Sequence, residues 1–303
     1  VSHALGAMAL SSEEPSAESP RISFLGPSGT FSESVVDYIF EDLAIHRSPQ
    51  GTIGECVDSL RGGNAEYAVV PVENSTGGVV PDFWDLLAAQ WQDRTWNLEL
   101  DVVSDVSQHL FASAALVERH EEPTKIFSHW QALRQCRKYL DRIYPKAERV
   151  PVDSTAEAGR IAQEFADEPF AAIGHRNIGD RFGLVRIASS VEDNPFNQTR
   201  FVVLSSREAP KAGTWIDAAE HRALTYHSVE SSGLTSVPST LAEIEASRGW
   251  ELTGCYSLPK PGYMGEYNVF MDWRTTSTDT GTHQSRPNKQ GTYVVVDAYH
   301  RVP

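Results

Sequence analysis

The chain has 303 residues, a net charge of −15 and 40% hydrophobic residues, with a pI near 5.1 and a mean hydropathy of −0.35. The length predicts two or three domains with real cores, and no apolar run reaches membrane-spanning length. The acidic balance argues against a nucleic-acid or anionic-membrane partner, which would want a basic face. A small anionic substrate stays compatible, because a few local arginines and backbone N–H groups hold one on an acidic protein. Cys56, Cys136 and Cys255 are far apart and in no metal-ligand spacing, so they read as free thiols in a reducing cytoplasm, with no metal site.

In chain order, residues 1–20 lack a basic start followed by a long apolar stretch, so they do not read as a signal peptide. Ser11–Pro20 is small, polar and acidic and reads as disordered. Ile22–Leu25 reads as a strand running into the turn Gly26-Pro27-Ser28-Gly29-Thr30, with Ser28 or Thr30 capping a helix over Phe31–Phe40. A helix over Ile53–Leu60 precedes a buried strand over Tyr67–Val72. That strand runs into Glu73-Asn74-Ser75-Thr76-Gly77-Gly78 and a helix over Asp82–Ala89. Leu98–Val106 and Leu110–Leu116 alternate like strands. Strand–helix pairs follow at Lys125–Ser128 with Gln131–Leu140, Arg149–Val152 with Ala156–Phe165, and Phe170–Ile173 with a helix near Asn177. Phe201–Leu204 is a late strand. This repetition predicts an open α/β sheet with sites at strand C-terminal ends. It divides into an α/β region over 21–206, with one lobe from 21–100 plus 175–206 and another from 101–174. A polar linker over 207–220 leads to 221–303, where strands over Ala223–Val229, Trp250–Ser257, Glu266–Trp273 and Thr292–Asp297 and a helix over Pro238–Arg248 suit a small ferredoxin-like α+β module.

Five segments, in order over residues 22–205, resemble prephenate dehydratase: Phe24–Phe31, Val70–Gly78, Ser128–Cys136, Asp153–Ala156 and Asn197–Phe201. The tail over 221–297 is similar to the ACT regulatory domain of many such enzymes. The resemblance implies two α/β lobes with an interlobe cleft, of periplasmic-binding-protein-like fold, followed by the ACT-like module. It also implies decarboxylating dehydration of prephenate to phenylpyruvate, in phenylalanine biosynthesis, by a homodimer or homotetramer. Thr199 is then the catalytic donor, and Asn74, Ser128 and Gln135 line the site. Ser154 and Thr155 lie nearby, and with Gly29, Thr30, Ser75, Arg200 and Phe201 they are carried over as substrate-binding positions.

The chemistry suits such residues. Prephenate must lose a ring hydroxyl and a ring carboxylate, and hydroxide is the poor leaving group, so one positioned donor helps by about a hundredfold to ten-thousandfold. Aromatisation itself accepts the electrons left by carbon dioxide, so no cofactor is required. Read without the resemblance, Thr199 is an ordinary strand threonine. Arg200, beside Phe201, either pairs with a substrate carboxylate or holds the two lobes together through a buried carboxylate. Asn74 has an Asx-turn as its structural reading, Ser128 a helix cap, and Gly26–Thr30, which looks like an anion cradle at a helix N-terminus, a plain turn. His129 and His175 read as hydrogen-bonded structural histidines, and Glu73 as an anchor for its loop.

Trp130, Phe83, His175 and Asn177 depart from what is common in the family. They leave open arogenate dehydration, or a prephenate decarboxylase of a specialised pathway, as alternatives. The phenylalanine-binding motifs of the tail are missing around Ser236–Pro238 and Tyr256–Pro259, which predicts weak or absent inhibition by phenylalanine. A non-catalytic small-molecule sensor is the alternative of another class.

Overall fold

A computed structural model describes residues 14–91, 95–209, 221–229, 251–275, 293–296 and 298–302. The first half of the chain runs β1 (Arg21–Leu25), α1 (Phe31–Ile39), β2 (His46–Gln50), α2 (Ile53–Arg61), β3 (Tyr67–Asn74), β4 (Gly78–Val79), α3 (Pro81–Gln90), β5 (Trp96–Asp105), β6 (His109–Ala112), α4 (Ala114–Arg119) and β7 (Lys125–His129). It continues α5 (Trp130–Gln135), α6 (Arg137–Ile143), β8 (Glu148–Val152), α7 (Thr155–Glu164), β9 (Phe170–Gly174), α8 (Asn177–Phe182), β10 (Val185–Ala188) and β11 (Gln198–Ser206). The tail holds β12 (His221–Val229), β13 (Glu251–Pro259), β14 (Tyr267–Thr275), β15 (Tyr293–Val296) and β16 (Ala298–Val302). Among the described residues, no helix is long and apolar enough to cross a membrane.

Two compact units emerge. The first joins residues 1–52 and 105–199, and the second joins 53–104 and 200–303. The tail belongs to the same unit as 53–104.

In the first unit, β1 pairs in parallel with β2, and a five-stranded sheet has the order β10-β6-β9-β7-β8. The sheet is built on β7, β8 and β9, which are mutually parallel, with β6 antiparallel to β9. Its two faces are covered by separate apolar clusters. One holds Leu110, Leu116, Ile126, Leu133, Leu140 and Ile173, and the other holds Phe111, Phe127, Ala158, Ala162 and Ile178. Burial on both faces explains why these strands read as continuous apolar runs.

In the second unit, β16, β5, β11 and β3 are consecutive neighbours in a sheet, with β4 folding back on β3. The tail forms a four-stranded sheet of order β13-β14-β12-β15, antiparallel throughout. Counted within the tail, that order is second, third, first, fourth, which suits the ferredoxin-like module anticipated from sequence. The helix anticipated over Pro238–Arg248 lies outside the described residues. Aromatic rings join the tail sheet to α3: Trp84 stacks on Tyr256 with centroids 4.5 Å apart and sits 5.1 Å from Phe270.

Several local expectations are corrected. Residues 14–20 are not structureless. Ser19 N–H donates to the Ser16 carbonyl, and that carbonyl lies 2.8 Å from His46 Nε2. The strand anticipated over Leu110–Leu116 stops at Ala112, because Ser113 caps α4 by accepting from Leu116 N–H. The helix over Gln131–Leu140 breaks at Cys136 into α5 and α6. Two backbone N–H groups at the start of α6 donate to the Asp193 carboxylate, which caps it from a distant part of the chain. Strand β2, HRSPQ, has no apolar alternation to betray it. It forms because β1 offers it a parallel partner.

Candidate active site

In the first unit, β7, β8 and β9 end side by side, with Ser128 opposite Pro151 and His129 opposite Val152. The chain leaves these ends through Trp130, Ser154–Thr155 and His175. Outside the carboxyl ends of parallel strands is where such sheets bind ligands.

Ser128 is fully buried, and its hydroxyl donates to the Ile173 carbonyl at 2.7 Å. It does not cap the following helix. That role falls to His129, whose Nδ1 accepts from Gln131 N–H. Ser154 caps α7 by accepting from Glu157 N–H at 3.0 Å, and Thr155 is the first helical residue. A Cβ built on Gly174 would lie 3.0 Å from that of Thr155, so a bare backbone at the end of β9 lets α7 come this close.

Gly29 meets the same helix. Its φ is +90°, a conformation that favours glycine, and an added Cβ would lie 3.0 Å from the Ala156 Cβ. The Gly29 N–H donates to Glu33, and Arg181 Nη1 pairs with the same Glu33 oxygen at 3.1 Å. An internal carboxylate thus takes the place an anionic ligand would take in this turn. Thr30 stands at the cap position of α1, but its hydroxyl donates back to the Leu25 carbonyl at 3.2 Å.

His175 adds a cluster that the sequence did not assign to the site. Its Nδ1 lies 2.9 Å from Ser34 Oγ and 2.8 Å from Asn177 Oδ1. The Phe31 ring packs edge-on at 4.8 Å. Burial pushes its pKa down to about 4, partly opposed by the Asn177 hydrogen bond. The imidazole is therefore neutral near pH 7. The available signal was its place directly after the buried strand FAAIG.

Gln135 ends α5, and its Oε1 accepts from Gln108 Nε2 at 3.3 Å. Gln108 directly precedes β6, whose first residue His109 lies opposite Gly174, so the pair belongs to the same edge of the sheet. Glu192 accepts from the Gln108 N–H at 2.8 Å. The Gln108 Oε1 is buried with no hydrogen-bond partner. Just upstream, Val106 N–H donates to the Asn197 carbonyl, and Gln198 Nε2 donates to Asp105 at 2.7 Å. These bonds fix the start of β11, where Thr199 lies half-buried.

The second unit carries the remaining assigned residues. Asn74 ends β3, and its Oδ1 accepts from Thr76 N–H, Thr76 Oγ1 and Gly77 N–H at 3.0, 2.7 and 2.8 Å. That is an Asx-turn closing the β3–β4 hairpin, with Gly78 at φ +80° where a side chain would be strained. Ser75 is at the exposed tip. Phe201 is packed in the core at 2% exposure, as is Phe83 at 1%, whereas Trp130 is 54% exposed. Trp130 lies under the Arg134 guanidinium at 5.1 Å.

Arg200 is committed to protein carboxylates. Its Nε and Nη2 each donate to one oxygen of Asp101 at 2.7 Å. Its Nη1 lies 2.9 Å from Asp272 and donates to the Tyr256 hydroxyl at 3.0 Å. Tyr256 in turn donates to Glu73 at 2.8 Å. Of the two partners considered for Arg200, the structure supplies the buried carboxylate. Both acids are distant in sequence, so no local pattern announced them.

The family model for prephenate dehydratase matches residues 22–209. The chain belongs to the prephenate dehydratase family. A bifunctional chorismate mutase/prephenate dehydratase from Neisseria gonorrhoeae is 34% identical over 83% of this chain and 65% of its own length. A prephenate dehydratase from Lactococcus lactis subsp. cremoris is 27% identical over 86% of this chain and 88% of its own. A crystal structure of prephenate dehydratase from Arthrobacter aurescens in complex with L-Phe superposes with a TM-score of 0.71. It shares 26% identity over 93% of this chain and 90% of that one. The chain spans about half to two thirds of the bifunctional relatives named chorismate mutase/prephenate dehydratase.

Proposed function

We propose that this chain is a prephenate dehydratase, a lyase that converts prephenate to phenylpyruvate with loss of water and carbon dioxide. Membership of the family over residues 22–209 carries the reading. The hydroxyl of Thr199 donates a hydrogen bond to the departing ring oxygen. A threonine is too weak an acid to act as a free proton source, so its value lies in being held in place. The hydrogen bonds of Gln198 to Asp105 and of Asn197 to Val106 hold the backbone before it. As the ring becomes aromatic it takes up the electrons of the broken carbon–carboxylate bond, so the hydroxyl is the group that needs help.

Asn74, Ser128 and Gln135 are proposed as substrate-contacting groups, with Ser154, Thr155, Gly29, Thr30 and Ser75 beside them. Arg200 and Phe201 act by holding β11. We place the protein in the cytoplasm as a homodimer or homotetramer, its tail an ACT-like module that phenylalanine affects weakly or not at all.

The test is direct. Purified protein is given prephenate, and phenylpyruvate is read by its absorbance in alkali. Wild type should form product, and Thr199→Ala should form at least about a hundredfold less with an unchanged circular dichroism spectrum. Equal rates would remove the mechanism. Tight binding of prephenate with no product would favour a sensor.

A further inference from the structure

The tail reaches the two strand positions next to the residues assigned to catalysis. Tyr256, on β13, puts one hydroxyl between Arg200 and Glu73. Arg200 directly follows Thr199 on β11, and Glu73 directly precedes Asn74 on β3. The ring is clamped as well, stacked on Trp84 of α3 at an interplanar angle of 26°. Asp272, on the neighbouring strand β14, closes the same network onto Arg200.

We propose that Tyr256 is a positioning residue for dehydration, its hydroxyl bridging Arg200 and Glu73 so that the tail sheet fixes the backbone on which Thr199 and Asn74 are carried. The role rests on the functional reading above. It acts through neighbouring residues, and the hydroxyl itself touches neither substrate nor reacting atoms. The geometry is specific to a phenol. An aliphatic side chain of similar length has no oxygen that accepts from a guanidinium and donates to a carboxylate at once. A bridge between two charged groups is also stronger than a bond between neutral ones. Strand residues next to one another point to opposite faces, so Arg200 is anchored on the tail side of β11 while Thr199 faces away. The tail would then tune the reaction without contributing a reacting group.

The experiment compares Tyr256→Phe with wild type and with Thr199→Ala. Phenylalanine keeps the ring on Trp84 and removes only the oxygen. The expected result is a fall in kcat of about tenfold with KM within about twofold, the pattern of an interaction that matters in the transition state. A purely structural tyrosine would lower the melting temperature and leave kcat alone, which overturns the proposal, as does a change confined to KM. Glu73→Ala removes the other end of the bridge and should lower kcat similarly, and the double variant should be no worse than either single one. Additive losses overturn the shared bridge. If Tyr256→Phe fails to fold, Glu73→Ala carries the decision by the same kcat and KM criterion. Product from wild type with loss in Thr199→Ala keeps the functional reading separate from this one. Failure of wild type to turn over prephenate sinks both.

Discussion

Arg200 and Asp101 meet fork to fork, each of two guanidinium nitrogens lying 2.7 Å from a different carboxylate oxygen. The Asp101 side chain is 1% exposed and that of Arg200 15%. The neighbouring carboxylates hold the guanidinium pKa well above its usual value, against the desolvation that opposes its charge. Such a pair is costly to break by one partner, because the other charge stays buried. Arg200→Met should therefore destabilise the protein by about 3–5 kcal/mol, seen as a lower urea midpoint. Arg200→Lys should recover only part of this, since an ammonium cannot reproduce the planar fork. A midpoint unchanged in Arg200→Met would show that the network contributes nothing.

Thr199 admits a finer test than removal. Thr199→Ser keeps the hydroxyl but frees its rotamer, and Thr199→Val keeps the shape but loses the hydroxyl. If the oxygen matters, serine should retain activity within about tenfold while valine falls by about a hundredfold or more. KM for prephenate should change little in either, because the hydrogen bond strengthens only as the ring oxygen departs. Valine at wild-type rate would reassign Thr199 to packing.

Acid should weaken the protein through His175. Its pKa is pushed from 6.5 to about 4 by burial in the folded state, so the unfolded chain takes up this proton first as pH falls. The stability it supports is present above about pH 6.5 and is lost as pH falls from there toward 4. The ceiling for this one group is about 3 kcal/mol. His109 and His129 are shifted in the same direction, chiefly by burial, and add to the slope. Urea midpoints at pH 7.5, 6 and 5 should decline in wild type and decline less steeply in His175→Gln. Equal slopes would assign the acid sensitivity elsewhere.

The thiols should separate cleanly. Cys56 and Cys136 are buried and Cys255 is exposed. Burial pushes the Cys56 thiol up to about 12 and raises Cys136 as well, so neither offers a thiolate. A thiol reagent should titrate one cysteine in the native protein and all three in denaturant. Rapid reaction of a second thiol without denaturant would indicate that one of the two cores opens locally.

Much of this was legible in the chain itself. The runs RISFL, YAVVPV and FAAIG became β1, β3 and β9 because residues buried on both faces must be apolar. The pattern Ser-x-x-Glu at Ser154 carries a cap signal that the helix expected over Ala156–Phe165 did not draw on, and Ser154 does cap α7. The five motifs led to the family. Strand β2, by contrast, owes its existence to a neighbour, and its own residues carry no strand pattern.

Local periodicity and turn chemistry act over a few residues, so the sequence by itself determined most strands of residues 21–206 and the family, and offered the Asx-turn at Asn74 as one of two readings. Only the tertiary structure decided that Glu33 fills the turn at Gly29 beside Arg181, that Arg200 answers to Asp101 and Asp272, and that Tyr256 reaches Glu73. A buried charge must find its partner wherever folding brings one, and that partner's distance along the chain leaves no trace in the residues nearby.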